Sequence, residues 1–503
     1  MSFSLPVGNN ATRRRLRAAA LEFGVTPEAG GPTVGKTGAR VRRVAGPLKS
    51  TVTLLADGAN RLCLVTTHLN SPKSINVSTL FRRLIAEDLE IAMSQVILCV
   101  SHNHTDMKVA ENQCEAYDTL SLEPQEIPEA KLLPFGEELL GQLRKCARQL
   151  PALLQPVTVW WAEGSEGRIT YNRKGRRANG STYLMREEDR DLMGADFNGD
   201  IDRQAPVVVL KNDQDEPVTA IVQFTGHPVT SFHPERPVVF GEWPQVACDD
   251  VAAFLSPGNP APVSFIQGCA ADVNSKGMFR GDVALSEHYG HLLGGSYIEA
   301  LGRLQPSARD GFDHAMETVK IPLGPLPSKE ALLAEVSEMQ EFIRRAHAGD
   351  ENTLFCCGLN FPRELSTAYR GQLIEGVLPW TRWALDLRQR GAADTVSRKL
   401  EIQLHVLRLG DVGFVFMPFE PFQGIGRRMR EHSPLPLTIP CGYSNVSYGY
   451  LPDGPNANPA DGEYMTAHHR YSRFRAPYVP PAGDVLAIEG VKILHHFCHG
   501  NPQ

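Results

Sequence analysis

The chain has 503 residues, with 51 Lys and Arg against 57 Asp and Glu and a formal net charge of −6. Apolar residues make up 42% and charged residues 21%, which is typical of a globular protein with a sizeable core and excludes fibrous and low-complexity classes. So small a net charge on a long chain predicts no nucleic-acid partner. The sequence contains neither an apolar run of about 18 residues nor the apolar core of a secretory signal, so we expect a cytoplasmic protein without stable membrane insertion.

The spacing of the ten cysteines indicates neither a disulfide framework nor a structural zinc site. The sequence has no C-x-x-C pair and no Cys/His finger pattern. Cys356 and Cys357 are neighbours, and adjacent residues rarely form a disulfide. We therefore expect free, buried thiols.

The first strongly patterned segment runs from residue 51 to residue 93. Two β-rich runs, 51–55 and 62–67, flank Asp57-Gly58, a pair that favours a tight turn between strands. This pattern predicts a hairpin. A helix is expected to follow it at about 78–93.

Four apolar runs end abruptly in polar residues. The run 95–100 is continuously apolar, as in a strand that is buried on both faces, and it leads into Ser101-His102-Asn103-His104. The pattern recurs where 220–224 leads to His227, where 263–267 leads to Asp272, and where 404–409 and 412–417 lead to Glu420. Ligands bind beyond the carboxyl ends of strands in α/β sheets, so we expect these four ends to meet at one crevice. The predicted fold class is α/β, with a mixed β-sheet core flanked by helices.

Apolar residues between Lys329 and Arg390 are spaced as in helices. The spacing predicts a helical insert at about 329–392, which either covers the crevice or forms a packing layer. No internal repeat and no long Ser/Gly/Pro linker divides the chain, so we expect one catalytic body.

His102 and His104 are two positions apart, so both side chains would project from the same face of an extended segment. An H-x-H pair alone is a weak signal. Together with His227 and Glu420 at two other strand ends, it supplies the imidazoles and the carboxylate of a hydrolytic zinc site. The motifs of serine hydrolases, P-loop proteins and HExxH proteases do not occur in the sequence. The residues thus predict a Zn²⁺-dependent hydrolase.

These residues resemble the neutral/alkaline non-lysosomal ceramidases and their bacterial relatives, which are zinc-dependent amidases. The resemblance extends from about Val44 to Leu486 and rests on five separated motifs in the family's order, which are more specific together than any one alone. The matching segments are Val100-Ser101-His102-Asn103-His104-Thr105, Asn172-Arg173, Gly226-His227-Pro228, Ala271-Asp272-Val273-Asn274-Ser275, and Pro418-Phe419-Glu420 with Gly426-Arg427-Arg428.

The resemblance implies a set of zinc ligands. His102, His227 and Glu420 would bind the ion directly. Tyr450 would supply a fourth, oxygen ligand, and Tyr448 is the competing assignment.

Other residues would act beside the metal. The resemblance implies that His104 hydrogen-bonds the reacting centre, that Arg173 holds a substrate oxygen or the developing anion, and that Tyr464 or Tyr471 assists. Asp272 would either orient a ligand histidine or cap a helix, and the sequence does not separate these roles.

Several departures distinguish this chain from the true ceramidases. Asn274, a further candidate site residue, stands where they have a serine, and an amide side chain cannot act as a nucleophile. The family's glycine-rich HSGPG turn is replaced by a segment without glycine, His104-Thr105-Asp106-Met107. We expect a catalytic domain at 44–486 without the family's secretory signal and C-terminal β-sandwich, an N-terminal extension at 1–43 and a tail at 487–503. The departures predict a substrate other than ceramide.

The predicted activity is cleavage of an amide bond by metal-activated water, in a small or medium substrate, cyclic amides included. The metal and Arg173 would stabilise the oxyanion, and His104 would move the proton to the leaving nitrogen. Two alternatives stay open: an esterase or lactonase with the same site, and a catalytically silent zinc-containing binding protein. The sequence leaves the oligomeric state open, a homo-oligomer included.

Overall fold

The helices lie on the faces of several sheets. A computed structural model describes residues 15–33, 40–70, 73–114, 126–176, 178, 182–454 and 475–499. The helices within these ranges are α1 (Ile75–Leu89), α2 (Pro134–Leu153), α3 (Glu187–Met193), α4 (Glu242–Leu255), α5 (Val283–Leu301), α6 (Lys329–His347), α7 (Thr367–Gln389), α8 (Gln423–His432) and α9 (Ala482–His499). None of these helices combines the length and the apolar character that a bilayer span requires.

The strands are short to medium in length. In chain order they are β1 (Arg17–Val25), β2 (Arg43–Val44), β3 (Leu48–Asp57), β4 (Asn60–Thr67), β5 (Val96–Val100), β6 (Gln155–Pro156), β7 (Thr158–Ala162), β8 (Thr170–Asn172), β9 (Lys174–Arg176), β10 (Thr182–Leu184), β11 (Val207–Lys211), β12 (Pro217–Phe224), β13 (Val238–Val239), β14 (Val263–Gln267), β15 (Val273–Ser275), β16 (Gln305–Pro306), β17 (Phe312–Pro322), β18 (Phe355–Cys356), β19 (Leu359–Asn360), β20 (Lys399–Leu409), β21 (Val412–Phe416), β22 (Glu420–Pro421), β23 (Leu437–Cys441) and β24 (Tyr450–Leu451).

Three mixed sheets contain most of the long strands. Their strand orders are β5-β4-β3-β1-β6, β14-β12-β11-β7-β16 and β17-β20-β21-β23. Each sheet is antiparallel except for one parallel pair, which is β4–β5 in the first, β12–β14 in the second and β21–β23 in the third. The carboxyl ends of parallel neighbours lie at the same edge of a sheet. In each sheet, the residues that follow the two parallel strands therefore lie close together. The predicted α/β class with a mixed sheet core is confirmed.

A shared hydrophobic cluster fixes the three sheets relative to one another. Ile97 of the first sheet, Ile221 of the second and Phe414 of the third are buried in it. Full burial of side chains of this size stabilises a fold by about 1.5–3 kcal/mol each. All three lie on strands that lead to candidate residues. The cluster therefore fixes the positions of those strand ends relative to one another.

The predicted elements around the first sheet are present. The hairpin is formed by β3 and β4, which pair from Ser50 opposite Thr67 to Asp57 opposite Asn60. The predicted buried strand is β5, and all five of its residues are buried. Helix α1 begins and ends slightly before the predicted 78–93. It ends at Leu89 because Glu90 adopts a left-handed conformation.

Two elements outside or at the edge of the predicted catalytic domain pack against its sheets. Strand β1 lies inside the segment predicted as an N-terminal extension, yet it pairs with β3 along all nine residues and with β6 at its start. Helix α9 lies mostly in the predicted tail, yet Leu486, Val491 and Leu494 are buried against the third sheet. The β1 segment Arg-Ala-Ala-Ala-Leu-Glu-Phe-Gly-Val begins with three alanines, which favour a helix, and alternates apolar with other residues only over 21–25, so its pattern did not clearly signal a strand.

The predicted helical insert consists of α6 and α7, with the short pair β18–β19 between them. The two helices pack against each other through buried residues that include Met339 and Phe342 of α6 and Ile374 and Val377 of α7. The loop from β19 to α7 faces the cavity described below.

Candidate metal centre

The turn after β5 brings two histidines together. The backbone N–H of His102 donates to the carbonyl oxygen of Leu69 at 3.1 Å, and His102 has a φ of 62°. This left-handed conformation is uncommon for a residue other than glycine and occurs preferentially at functional sites. The segment is therefore not extended as the spacing assumed, but the Nε2 atoms of His102 and His104 still lie 3.2 Å apart.

His227 follows β12 and is fully buried. Its Nδ1 lies 2.7 Å from the carbonyl oxygen of Ala270. A carbonyl oxygen can only accept, so Nδ1 is the protonated nitrogen and Nε2 presents a lone pair. No described residue forms a hydrogen bond with this Nε2.

Glu420 lies in β22, which follows β21 of the third sheet in the chain and forms a separate two-stranded sheet with β24. Strand β22 pairs with β24 in parallel, so that Glu420 is the register partner of Tyr450. Glu420 Oε2 lies 3.2 Å from Nε2 of His102 and 3.4 Å from Nε2 of His227. The structure thus brings together residues that follow strands of three sheets in the chain.

The unpaired atoms fit a metal ion. Nε2 of His227 and Oε2 of Glu420 are buried and have no hydrogen-bond partner among the described residues. An unsatisfied buried polar group costs about 1–3 kcal/mol, and a cation between the two atoms would satisfy both lone pairs. Imidazole nitrogens and carboxylate oxygens are ordinary Zn²⁺ ligands, so these residues fit the ion that the resemblance implies.

Two donor sets are compatible with this geometry. One ring nitrogen of each of His102, His104 and His227 lies within 4.8 Å of the other two. Glu420 also lies close to His102 and His227, through the contacts given above. The two sets differ in whether His104 or Glu420 is the third ligand.

The protonation states suit a metal centre. Burial lowers the pKa of His102 to about 3, and burial is also the main cause that lowers the pKa values of His104 and His227. Burial opposes ionisation of Glu420, but the neighbouring His102 ring and Lys73 ammonium hold the pKa of that carboxyl well below its usual range. Neutral imidazoles and an ionised carboxylate are the forms that bind metal.

Arg173 donates to two predicted residues beside the centre. Its Nη1 donates to Asn274 Oδ1 at 3.0 Å, and its Nη2 donates to the hydroxyl oxygen of Tyr450 at 3.1 Å. The Tyr450 ring stacks on the ring of His227 with centroids 6.3 Å apart. Arg173 itself is held by the carbonyl oxygen of Ala271, which accepts from its Nε at 2.9 Å.

The two candidate tyrosines occupy different surroundings. The ring of Tyr448 packs against Phe419 at 5.8 Å, and its carbonyl oxygen accepts from the hydroxyl of Tyr478. Tyr450 is therefore the one that lies beside His227, while its role as a ligand stays a prediction. Tyr464 and Tyr471 lie outside the described residues.

Asp272 contacts a helix terminus. Its Oδ1 accepts from the backbone N–H of Gln423 at 2.9 Å, and its Oδ2 lies 3.3 Å from Nε2 of the same glutamine. Gln423 is the first residue of α8, the helix that follows Glu420. Asp272 thus contacts the start of a helix distant in the chain, and the ring of His227 is oriented by a backbone carbonyl. The role of Asp272 at the centre stays a prediction.

Ser275 does not replace the missing serine. Its hydroxyl oxygen is buried, accepts from the backbone N–H of Val229 at 3.2 Å and lies 2.9 Å from the hydroxyl of Thr230. The hydroxyl is therefore engaged in the packing of the strand end.

Two residues of the cluster, Asn70 and Lys73, were not predicted from the sequence. Lys73 Nζ lies 3.3 Å from Glu420 Oε1 and 3.1 Å from His102 Nδ1, and Asn70 Oδ1 lies 3.1 Å from the same Nδ1. Both residues follow β4, the parallel neighbour of β5. The parallel pairing of β4 with β5 could have indicated them, because residues after two parallel neighbours lie at the same edge of the sheet.

A cavity of about 320 Å³ opens beside the centre. His104, Arg173 and Asn274 line it on the side of the metal centre. The apolar lining residues are Leu184, Met185, Phe232, Met278, Phe279, Phe361, Pro362, Leu365, Tyr369 and Leu373. Several of these belong to the helical insert, which therefore forms part of the wall of the crevice.

Comparison with known proteins identifies the fold. No family model and no curated protein matches this chain. The chain is similar to the crystal structure of neutral ceramidase from Pseudomonas aeruginosa, with 15% sequence identity and a TM-score of 0.63, over 97% of this chain and 75% of that one. It is also similar to a ceramidase complexed with C2, with 17% identity and a TM-score of 0.63, over 97% of this chain and 76% of the other. The chain has a neutral-ceramidase-like fold, as its motifs predicted.

Proposed function

We propose that this chain is a Zn²⁺-dependent hydrolase that cleaves the carbon–nitrogen bond of a small or medium amide. The main support is the meeting of His102, His227 and Glu420 beside an apolar cavity, with two buried polar atoms that have no hydrogen-bond partner in the described part of the chain. The similar solved structures are ceramidases, and amide hydrolysis is the activity that the motifs imply.

His102 and His227 would hold the ion through Nε2, Glu420 through Oε2, and Tyr450 through its hydroxyl oxygen. A bound Zn²⁺ supplies a Lewis acid that activates water and polarises a carbonyl group. The hydrogen bond from His227 to Ala270 keeps the Nε2 lone pair directed at the centre.

His104 and Arg173 would handle the proton and the developing charge. His104 lines the cavity, where its ring would accept a proton from the attacking water and return it to the leaving nitrogen. The guanidinium of Arg173 also lines the cavity, where it can stabilise the oxyanion. Loss of one such donor typically costs about 2.7–4 kcal/mol of transition-state stabilisation.

The cavity bears on which group of the substrate lies beside the scissile bond. Its volume of about 320 Å³ accommodates a short acyl group or a ring. The apolar lining, with Phe232, Phe361 and Leu365 among its members, favours an apolar group next to the scissile amide.

A panel of short N-acyl amides and matched esters tests the proposal. We expect the Zn²⁺-loaded protein to hydrolyse the amides, to lose activity with a chelator and to regain it when Zn²⁺ is returned. His227→Ala should bind no zinc and have no turnover. Ser275→Ala is the matched control at the neighbouring strand end, and it should keep both properties.

Other outcomes would contradict the proposal. Turnover of esters or lactones without amides would assign the alternative bond. A fully loaded zinc site that acts on no member of the panel would favour a binding protein. Loss of turnover in Ser275→Ala with zinc retained would indicate a serine nucleophile.

A further inference from the structure

Lys73 places a cation against two of the proposed metal ligands. Its Nζ lies 3.3 Å from Oε1 of Glu420 and 3.1 Å from Nδ1 of His102, and its side chain is only 13% exposed. Oε1 is the carboxylate oxygen that does not face His102 and His227. Lys73 therefore supplies positive charge to the same carboxylate that would bind the ion.

The ring of His102 cannot satisfy both Lys73 and Asn70. Each presents a polar atom 3.1 Å from Nδ1. An ammonium group only donates, so a bond from Lys73 requires a bare Nδ1 and places the proton of the neutral ring on Nε2. An amide oxygen only accepts, so a bond to Asn70 requires a proton on Nδ1 and leaves a lone pair on Nε2. Only the second form can bind a metal through Nε2.

We propose that Lys73 is an internal counter-cation that stabilises the metal-free centre and lowers its affinity for Zn²⁺, while Asn70 selects the metal-binding form of His102. This inference rests on the proposed zinc-dependent function.

Two effects of Lys73 act in the same direction. In the metal-free chain, Lys73 pairs the buried carboxylate of Glu420, which would otherwise be an uncompensated charge. When the ion enters, His102 must give up its bond from Lys73, and two further positive charges come to lie close to the ammonium group. Both effects favour the metal-free state, so Lys73 is a positioning residue that sets the metal affinity.

The test is the Zn²⁺ affinity of metal-stripped protein, measured by competition with a chromophoric chelator. Lys73→Met keeps the length of the side chain and removes its charge, and it should bind Zn²⁺ about 10- to 100-fold more tightly, the typical size of an outer-shell effect. Asn70→Leu should change the affinity in the opposite direction. Lys73→Arg keeps a cation and is the matched control, with an affinity close to that of the wild-type protein.

Far-ultraviolet circular dichroism of each stripped variant checks that it is folded, and Lys73→Gln provides a second neutral substitution with the same expected result. Equal or weaker Zn²⁺ binding by the folded neutral variants, with normal binding by the wild-type protein, overturns the role of Lys73 and leaves the proposed function intact. Zinc binding by neither the wild-type protein nor the variants overturns both. Binding by the neutral variants alone supports the role of Lys73.

Discussion

The distances among four side chains bear on which residue is the third metal ligand. Nε2 of His102 and of His227 both approach Oε2 of Glu420, at 3.2 and 3.4 Å, while His104 Nε2 lies 3.2 Å from His102 Nε2 and the His104 side chain reaches the cavity. This arrangement favours Glu420 as the third ligand and leaves His104 for proton transfer.

Single substitutions separate the two donor sets. We expect His104→Ala to keep stoichiometric zinc and to lose about 10²- to 10⁴-fold in turnover, the usual contribution of a general acid–base group. Glu420→Ala should lose the zinc, because it removes the only carboxylate of the set. Elemental analysis and turnover are measured on the same preparations. Zinc lost from His104→Ala and retained by Glu420→Ala would instead assign the set of three histidines.

Three candidate ligands, His102, His227 and Glu420, were found from the sequence because each closely follows an apolar run. Asn70 and Lys73 were not, because their position at the centre depends on β4 pairing with β5 in parallel, and no local pattern encodes a pairing partner. The contacts of Asp272 could not be predicted for a similar reason, because the helix start that it contacts, Gln423, is distant in the chain.

At the scale of elements, the helical insert sets the shape of the cavity. Leu373 of α7 lines the wall, so Leu373→Trp should fill part of the space. We expect KM to rise for the bulkier amides of the panel and to change little for the shortest one, with zinc content unchanged. Arg382→Trp places the same ring at an exposed position of the same helix and should leave the specificity unaltered. A uniform loss for all substrates would show that α7 does not determine size selection.

The pairing of β17 with β20 creates a pH-dependent contribution to stability. His314 Nε2 lies 3.2 Å from His405 Nδ1, and burial lowers the pKa of His314 to about 4 and that of His405 well below 6.5. In the unfolded chain both rings titrate near pH 6.5. Below that pH the unfolded state takes up more protons than the native state, so stability falls as the pH decreases towards 4.

Replacing one of these rings should make stability less sensitive to acid. Each unit of pH below 6.5 costs about 1.4 kcal/mol per buried histidine. We therefore expect His314→Phe to reduce the loss of unfolding free energy between pH 6.5 and 5 by up to about 2 kcal/mol, measured by urea denaturation at both pH values. His288→Phe, at an exposed position, is the control. An equal pH dependence for His314→Phe and the wild-type protein would contradict the assignment.

Elements with a regular pattern were predictable, and elements defined by their neighbours were not. Strands β3, β4 and β5 have the turn residues or the apolar continuity that mark strands. Strand β1 has neither, and its place between β3 and β6 depends on partners that follow it in the chain.

At the scale of the molecule, the centre exists because three sheets share one core. His102, His227 and Glu420 follow strands of the first, second and third sheets in the chain, and more than 300 positions separate His102 from Glu420. Spacing along the chain could suggest that their strand ends converge, but the packing of the sheets determines the distances. Local patterns do not show which distant residues meet. The order of the motifs, which resembles that of a known family, indicated this.

A metal bound between three sheets should stabilise the whole chain. An ion that binds only the native state adds RT ln(1 + [L]/Kd), which is about 2.7 kcal/mol when free Zn²⁺ is 100 times Kd. Removing the metal should therefore lower the midpoint of thermal unfolding, and returning Zn²⁺ should restore it, as measured by calorimetry of stripped and reloaded protein. The double variant His102→Ala/Glu420→Ala should show no such shift, because it lacks the ligands that follow strands of the first and third sheets. An equal shift in the double variant would place the stabilising zinc elsewhere and would remove the link between this centre and the fold.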